Sequence, residues 1–450
     1  MVFKRRTITP AQIIILSFLA MIFIGTLLLM LPWATQDAQG ASFSDALFTA
    51  TSATCVTGLV VQDTATYWSG FGQAVILLLI QIGGMGVVTV AVAIFMVSGK
   101  RIGLKQRWVM QESISAPQVG GIVRLTGFIL KSTFLMEGIG ALLLAFRFCP
   151  RYGFGKGLWF AVFHSISAFC NAGFDLMGTP DAAYVSLTGQ HAFDPLVTLC
   201  ISLLIILGGL GFLTWNDVVQ HRHHFRRYRL QSKLVLYTSA ILLAGGVLFF
   251  LWEFSSNSAW QHLTAAQRLQ AAWFQSVTPR TAGFNTVDLS LLSPVAMVVT
   301  IALMLVGGSP GSTAGGFKTT TLALLLLNIR AVFRRRDNAH CFGRRIPDDS
   351  TQGAAAIFTL YLLLFLSGGV LICCIDAVPL MCAMFESASA IATVGLSLGV
   401  TPSLSVLSRL ILIVLMYLGR VGSLTLLYAV TAPTSAVSPS RFPEERVSVG

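Results

Sequence analysis

Four glycines, Gly58, Gly173, Gly283 and Gly395, recur along this 450-residue chain at intervals of 115, 110 and 112 residues. Each closes a short polar stretch that opens on a phenylalanine: FTATSATCVTGL from Phe48, FHSISAFCNAGF from Phe163, FQSVTPRTAGF from Phe274 and FESASAIATVGL from Phe385. The scattered histidines and isolated carboxylates supply no clustered acid, base, nucleophile or metal set, so a polytopic membrane enzyme finds no residues here. What the four stretches offer is hydroxyls, backbone carbonyls and a glycine free to adopt angles closed to other residues. Four copies of such a loop around one axis are what a desolvated cation needs, because oxygens can replace its hydration shell. The periodicity points to an ion pathway.

The elements that carry these loops belong in a membrane. The chain is 55% hydrophobic and only 11% charged, with a mean hydropathy of +0.76, where soluble domains carry about 25% charged residues. Its eight cysteines form no CxxC pair or framework and read as small buried hydrophobes rather than disulfides or metal ligands. The first apolar run is longer than a signal-peptide core and lacks a convincing cleavage site, so it reads as a spanning helix.

Apolar segments then pair off around every glycine loop: 11–33 with 71–97, 123–147 with 194–219, 233–254 with 293–330, and 355–376 with 405–430. The fold class expected is an all-α polytopic membrane protein of four pseudo-symmetric helix–pore-loop–helix repeats around one central pore. The units are expected at 1–99, 100–220, 221–332 and 333–450. In each loop a short helix would descend, aim its partially negative C-terminal end at a central cavity, and return as extended chain.

The net charge of +12 is lopsided. Of 30 basic residues, 21 fall in the segments before the first span and after the second, fourth, sixth and last ones. Positive-inside bias accounts for that excess without nucleic acid as a partner, and places both termini in the cytoplasm. His221, His223 and His224 lie in one of these basic loops and read as a solvated surface near lipid headgroups rather than a metal site.

The 293–330 segment cannot be one helix, since 38 residues would rise about 57 Å through a core of about 30 Å. Its middle, VGGSPGSTAGGFKTTT, holds Gly307, Gly308, Pro310, Gly311, Ser312, Thr313, Gly315, Gly316 and Lys318. It must break into a hydroxyl-lined loop at membrane depth, below the loop glycines, where it would act as a gate. A phosphate-binding P-loop fails, because Phe317 separates Gly316 from Lys318 and no strand precedes; helix breakage for close packing is the plain alternative. Arg420 lies within the last span, where a charge faces a cavity or a partner. It either projects below the ion site or pairs with loop carbonyls or a carboxylate, with Glu137, Glu253 and Glu386 as candidates. Thr49, His164, Gln275 and Glu386 follow the four phenylalanines and suit anchoring of the short helices.

These residues resemble the Trk/Ktr/HKT superfamily of cation transporters, and within it the Ktr-type membrane subunit of bacterial potassium uptake systems. The resemblance spans nearly the whole chain. It is carried by SATCVTGL, SAFCNAGF, TPRTAGFN, ATVGLSLG, IQIGGMG, KRIGLKQR, GGSPGSTAGGFKTTT and YLGRVGSL. It implies that carbonyls of Val56, Thr57 and Gly58, of Asn171, Ala172 and Gly173, of Thr281, Ala282 and Gly283, and of Thr393, Val394 and Gly395 form a selectivity filter for potassium. Glycine in all four loops favours potassium over sodium; a sodium-permeable or poorly selective relative is the alternative. The resemblance also implies a gate at 307–318 with Arg420 beside it, a homodimer in the bacterial inner membrane, and a cytoplasmic nucleotide-binding regulatory ring. Nucleotide would bind that ring, leaving this chain no organic cofactor. Two departures stand out: Cys55 replaces a common threonine, and the third loop is one residue shorter from phenylalanine to glycine.

Overall fold

The computed structural model describes residues 9–87, 89–91, 103, 107–111, 121–189, 191–336 and 338–422. The basic residues Lys4, Arg5 and Arg6, most of the 100–107 motif and the C-terminal RFPEERVSVG lie outside the described residues.

Four long apolar helices form the outer scaffold: α1 (Pro10–Leu29), α4 (Ile122–Tyr152), α8 (Leu230–Ser256) and α12 (Asp348–Asp376). Each has the length and hydropathy to cross a bilayer. Their apolar side chains point outward as well as inward: Phe23 on α1, Phe146 on α4, Leu248 on α8 and Leu363 on α12 are all exposed. Exposed apolar surface on that scale is a lipid-facing surface. Helix α1 starts on a capping box, in which the Thr9 hydroxyl accepts from the Gln12 N–H and Gln12 returns a bond to Thr9, with Pro10 in the first turn.

Inside this scaffold sit four short helices, α2 (Phe43–Thr54), α5 (Phe154–Phe169), α9 (Ala265–Val277) and α13 (Leu380–Ile391), each ending just before one of the recurring glycines. Phe48, Phe163, Phe274 and Phe385 are completely buried, which explains why an aromatic recurs there. The long and short helices of each unit pack together in the pairs α1–α2, α4–α5, α8–α9 and α12–α13.

The second helix of each unit departs from expectation. Continuous spans are expected at 71–97, 194–219 and 405–430, with a break only in the third unit. The structure interrupts all four. Helix α3 (Gly70–Met85) ends at Gly86, and α6 (Pro195–Gly209) ends two residues before Gly211, after which α7 (Phe212–His221) leaves at 94°. Helix α14 (Val406–Val421) ends at Gly422. These three glycines share nearly one conformation, with φ of 87°, 86° and 89° and ψ of 128°, 137° and 122°. That region is closed to residues with a Cβ, so glycine sets the break. In the third unit α10 (Pro294–Leu305) and α11 (Thr319–Phe333) flank the long 306–318 loop. A two-residue antiparallel hairpin, β1 (His340–Cys341) and β2 (Arg344–Arg345), follows α11.

The units close into a ring. Each second helix packs on the short helix of the next unit: α3 on α5, α6 on α9, α10 on α13, and α14 back on α2. The seam between last and first units carries an ion pair, Arg409 Nη1 to Asp45 Oδ1 at 2.9 Å. All eight cysteines are unpaired.

Candidate ion pathway

Where the short helices end, four backbone segments repeat one conformation. Val56, Asn171, Thr281 and Thr393, two residues before each glycine, are left-handed with φ of 57°, 59°, 67° and 51°. Gly58, Gly173, Gly283 and Gly395 follow with φ of 93°, 71°, 81° and 92°. Left-handed backbone costs a non-glycine residue about 1–2 kcal/mol, so four copies require support. Hydroxyls from the short helices provide it. Ser52 Oγ accepts the Gly58 N–H at 3.1 Å and Ser389 Oγ accepts the Gly395 N–H at 3.0 Å. Ser167 Oγ donates to the Phe174 carbonyl and Thr278 Oγ1 to the Phe284 carbonyl, both at 2.6 Å. These four hydroxyls escape a sequence reading centred on the glycines. The signal is a serine six residues before three of them, replaced in the shortened third loop by a threonine five before.

The four loops meet. A Cβ on Gly58 would stand 2.4 Å from the Ala172 carbonyl oxygen, one on Gly173 2.7 Å from that of Ala282, one on Gly283 2.6 Å from that of Val394, and one on Gly395 2.3 Å from that of Thr57. The sequence 1→2→3→4→1 is a closed cycle. Real Cβ atoms do not approach oxygen so closely, so glycine is required at each position. On one side the ring opens into a cavity of about 150 Å³, lined by all four glycines together with Asp63 and Asp175. On the other, the second helices crowd the ends of the short ones. A Cβ on Gly83, Gly208 or Gly419 would lie 2.0 Å from the carbonyl oxygen of Thr54, Phe169 or Ile391 respectively.

The residues after the short helices' phenylalanines divide into two pairs. His164 Nε2 accepts the Leu176 N–H at 3.3 Å, and Glu386 accepts the Leu398 N–H and the Ser397 and Thr401 hydroxyls. Both therefore hold the returning chain, three residues past the glycine, rather than only the short helix. Thr49 and Gln275 make no side-chain hydrogen bond.

The glycine-rich loop lies against the second and fourth of these loops, beneath the ring. Gly307 N–H bonds the Phe317 carbonyl at 3.0 Å and Gly308 N–H the Gly315 carbonyl at 3.3 Å, closing a hairpin-like turn through Gly311, Ser312, Thr313 and Gly316. Thr313 Oγ1 donates to the Phe169 carbonyl at 3.0 Å and to Asn171 Oδ1 at 3.1 Å. A Cβ on Gly315 would overlap Thr393 Oγ1 at 1.9 Å. Lys318 Nζ donates to the Ala314 carbonyl at 2.7 Å. Arg420 bonds the carbonyls of Thr313, Gly83 and Gly84. The arginine is thus held by one carbonyl of the glycine-rich loop and two of α3, and among the described residues by no carboxylate. Glu137 bonds Gln81, Glu253 bonds Asn257 and Ser293, and Glu386 is occupied as above. His221 Nδ1 lies 2.9 Å from Asp217 Oδ1.

Long apolar helices enclosing a closed ring of backbone around one axis, with a glycine-rich loop packed below it, define a polytopic membrane transporter. Comparison with known proteins agrees. The sequence model described as "TrkH: Cation transport protein" matches residues 3–438. The chain is 40% identical over 443 residues to Ktr system potassium uptake protein B of Bacillus subtilis, covering 98% of this chain and 97% of that one. It is 37% identical over 451 residues to the potassium/sodium uptake protein NtpJ of Enterococcus hirae, covering 99% and 98%. The crystal structure of the potassium transporter TrkH from Vibrio parahaemolyticus superposes with a TM-score of 0.73 at 21% identity, over 96% of this chain and 86% of that one. The chain belongs to the TrkH family of cation transport proteins, which are ion transporters and not enzymes.

Proposed function

We propose that this chain carries potassium across the bacterial inner membrane through the ring of Gly58, Gly173, Gly283 and Gly395, with potassium as the bound ion. The observation that carries the reading is the closed cycle of glycine-to-carbonyl approaches among four loops of one chain. Within each loop a residue of positive φ, one outside that region and a glycine of positive φ succeed one another. Alternation of that kind turns successive carbonyls to one side, so Val56, Thr57, Asn171, Ala172, Thr281, Ala282, Thr393 and Val394 join the glycines as oxygen donors. The C-terminal ends of α2, α5, α9 and α13 add partial negative charge. Asp63 and Asp175 draw cations into the outer mouth. An inward-negative potential then supplies about 2.3 kcal/mol per charge per 100 mV.

Below the ring, the 307–318 loop forms the gate, pinned by Arg420 and by the Thr313–Asn171 contact. The units run 1–99, 100–220, 221–332 and 333–450, with both termini cytoplasmic. The chain works as a homodimer on a cytoplasmic nucleotide-binding regulatory ring, a reading supported by its likeness to Ktr system membrane proteins. The name of the Enterococcus hirae relative favours a second reading, in which sodium also passes.

Deletion of 310–316 tests the gate. In vesicles lacking any regulatory subunit, rubidium flux rises several-fold for the deletion if the loop obstructs the path. Unchanged or lower flux from a folded, monodisperse variant rejects the gate.

A further inference from the structure

A second cavity lies away from the ion pathway. A slot of about 580 Å³ runs between α8 and α11 and is closed at one end by the linker that carries β1. Its walls are apolar along most of their length. Tyr237 and Ile241 of α8 and Leu326 of α11 line it and remain exposed. At the far end of α11 the lining changes abruptly to Arg330 and Arg334, joined by Arg336 from the linker. Among the described residues no carboxylate lines the slot, and neither Arg330 nor Arg334 forms an ion pair. Arg336 Nη1 is fixed by His340 Nε2 at 2.6 Å. Lys233 stacks over Phe342, which walls the slot, at 5.8 Å.

Dimensions and charge together select the occupant. From Leu322 to Arg334, α11 rises about 18 Å, close to one leaflet of a core about 30 Å thick with its glycerol zone. Apolar length ending in guanidiniums matches an acyl chain ending in phosphate, and basic pockets between membrane helices are known to take anionic headgroups. A helix from a second copy would lay apolar residues against unpaired guanidiniums. A zwitterionic lipid would bring an ammonium to them.

We infer that this slot binds one anionic phospholipid, with an acyl chain along Tyr237, Ile241 and Leu326 and its phosphate at Arg330 and Arg334. Such a lipid straps α8 to α11, the helix that begins immediately after the 306–318 loop. The binding claim does not depend on which ion the chain carries.

Native mass spectrometry of the delipidated full chain, titrated with equimolar phosphatidylglycerol and phosphatidylcholine, reads the site. One tightly retained phosphatidylglycerol, favoured at least fivefold, is expected. The preference falls to near unity in R330Q/R334Q and survives in R124Q/K131Q, which removes two charges from α4. Equal retention of the two lipids by the wild type, or an unchanged preference in R330Q/R334Q, overturns the inference. So does displacement of the lipid by an equal concentration of inorganic phosphate. Photo-crosslinking in native membranes from benzoylphenylalanine in place of Tyr237 gives the second readout. A lipid adduct supports the slot; a product of twice the chain mass, or a link within the chain, shows a protein occupant and rejects it.

Discussion

A methyl group is the smallest change the glycine ring can register. At Gly58 it would meet the Ala172 carbonyl oxygen at 2.4 Å, in a backbone region that already disfavours alanine. Gly58→Ala is expected to lower rubidium uptake at least tenfold while leaving the size-exclusion profile of the purified protein unchanged; wild-type uptake would count against the ring as the ion's path. Loss of a supporting hydroxyl acts more gently. Ser389→Ala leaves the partly buried Gly395 N–H without its acceptor, a loss of about 0.5–1.5 kcal/mol. It should reduce the potassium-to-sodium flux ratio more than the total flux, which paired flux measurements would check. The glycines announce themselves in the sequence because the same residue recurs in four similar stretches. The left-handed residues do not, since an aliphatic Val56, an amide Asn171 and two hydroxyls, Thr281 and Thr393, follow no single pattern. Their common conformation comes from the loop closure, not from the side chain. The supporting serines are equally hidden, being ordinary residues of a hydroxyl-rich helix whose role depends on a bond formed only once the chain turns back.

Breaks in the second helices give each unit its working shape. Apolar length alone makes 71–97, 194–219 and 405–430 look like uninterrupted spans. The two or three glycines near each break cost a helix only about 1 kcal/mol apiece, so Gly86, Gly211 and Gly422 do not stand out against that apolar background. The third unit is legible because six glycines and prolines fall within ten residues. What accompanies the other breaks is tertiary: Gly83, Gly208 and Gly419 press onto short-helix carbonyls close to where each helix ends. Gly419→Ala would have to displace the Ile391 carbonyl, and overpacking of this kind costs about 1–3 kcal/mol. A lowered melting temperature in detergent is the expected sign, and an unchanged one would mean the helix and loop separate freely. Arg420 ties α14 to α3 and to the glycine-rich loop through three carbonyls. Arg420→Gln should raise rubidium flux several-fold in vesicles without a regulatory subunit. Flux equal to wild type would show that the guanidinium does not hold the loop in place.

Four units in one chain make a pore only if the last meets the first. The Asp45–Arg409 pair lies on that seam, with both side chains largely shielded from solvent. A double-mutant cycle of Asp45→Ala and Arg409→Ala on thermal stability should give a coupling of about 1–3 kcal/mol; additivity would show that closure rests on helix packing alone. The membrane class, the fourfold repeat and the lipid-facing helices are all present in composition and periodicity. Cyclic order is not, because no local pattern states that α14 returns to α2. That closure supports the central claim, a dehydrated monovalent cation held by oxygens from all four units. Anomalous diffraction from crystals grown in rubidium tests it most directly. The account predicts a peak on the axis, equidistant from the loops of Gly58, Gly173, Gly283 and Gly395 and lost when sodium replaces rubidium. An empty axis, or rubidium bound only outside the ring, would contradict it.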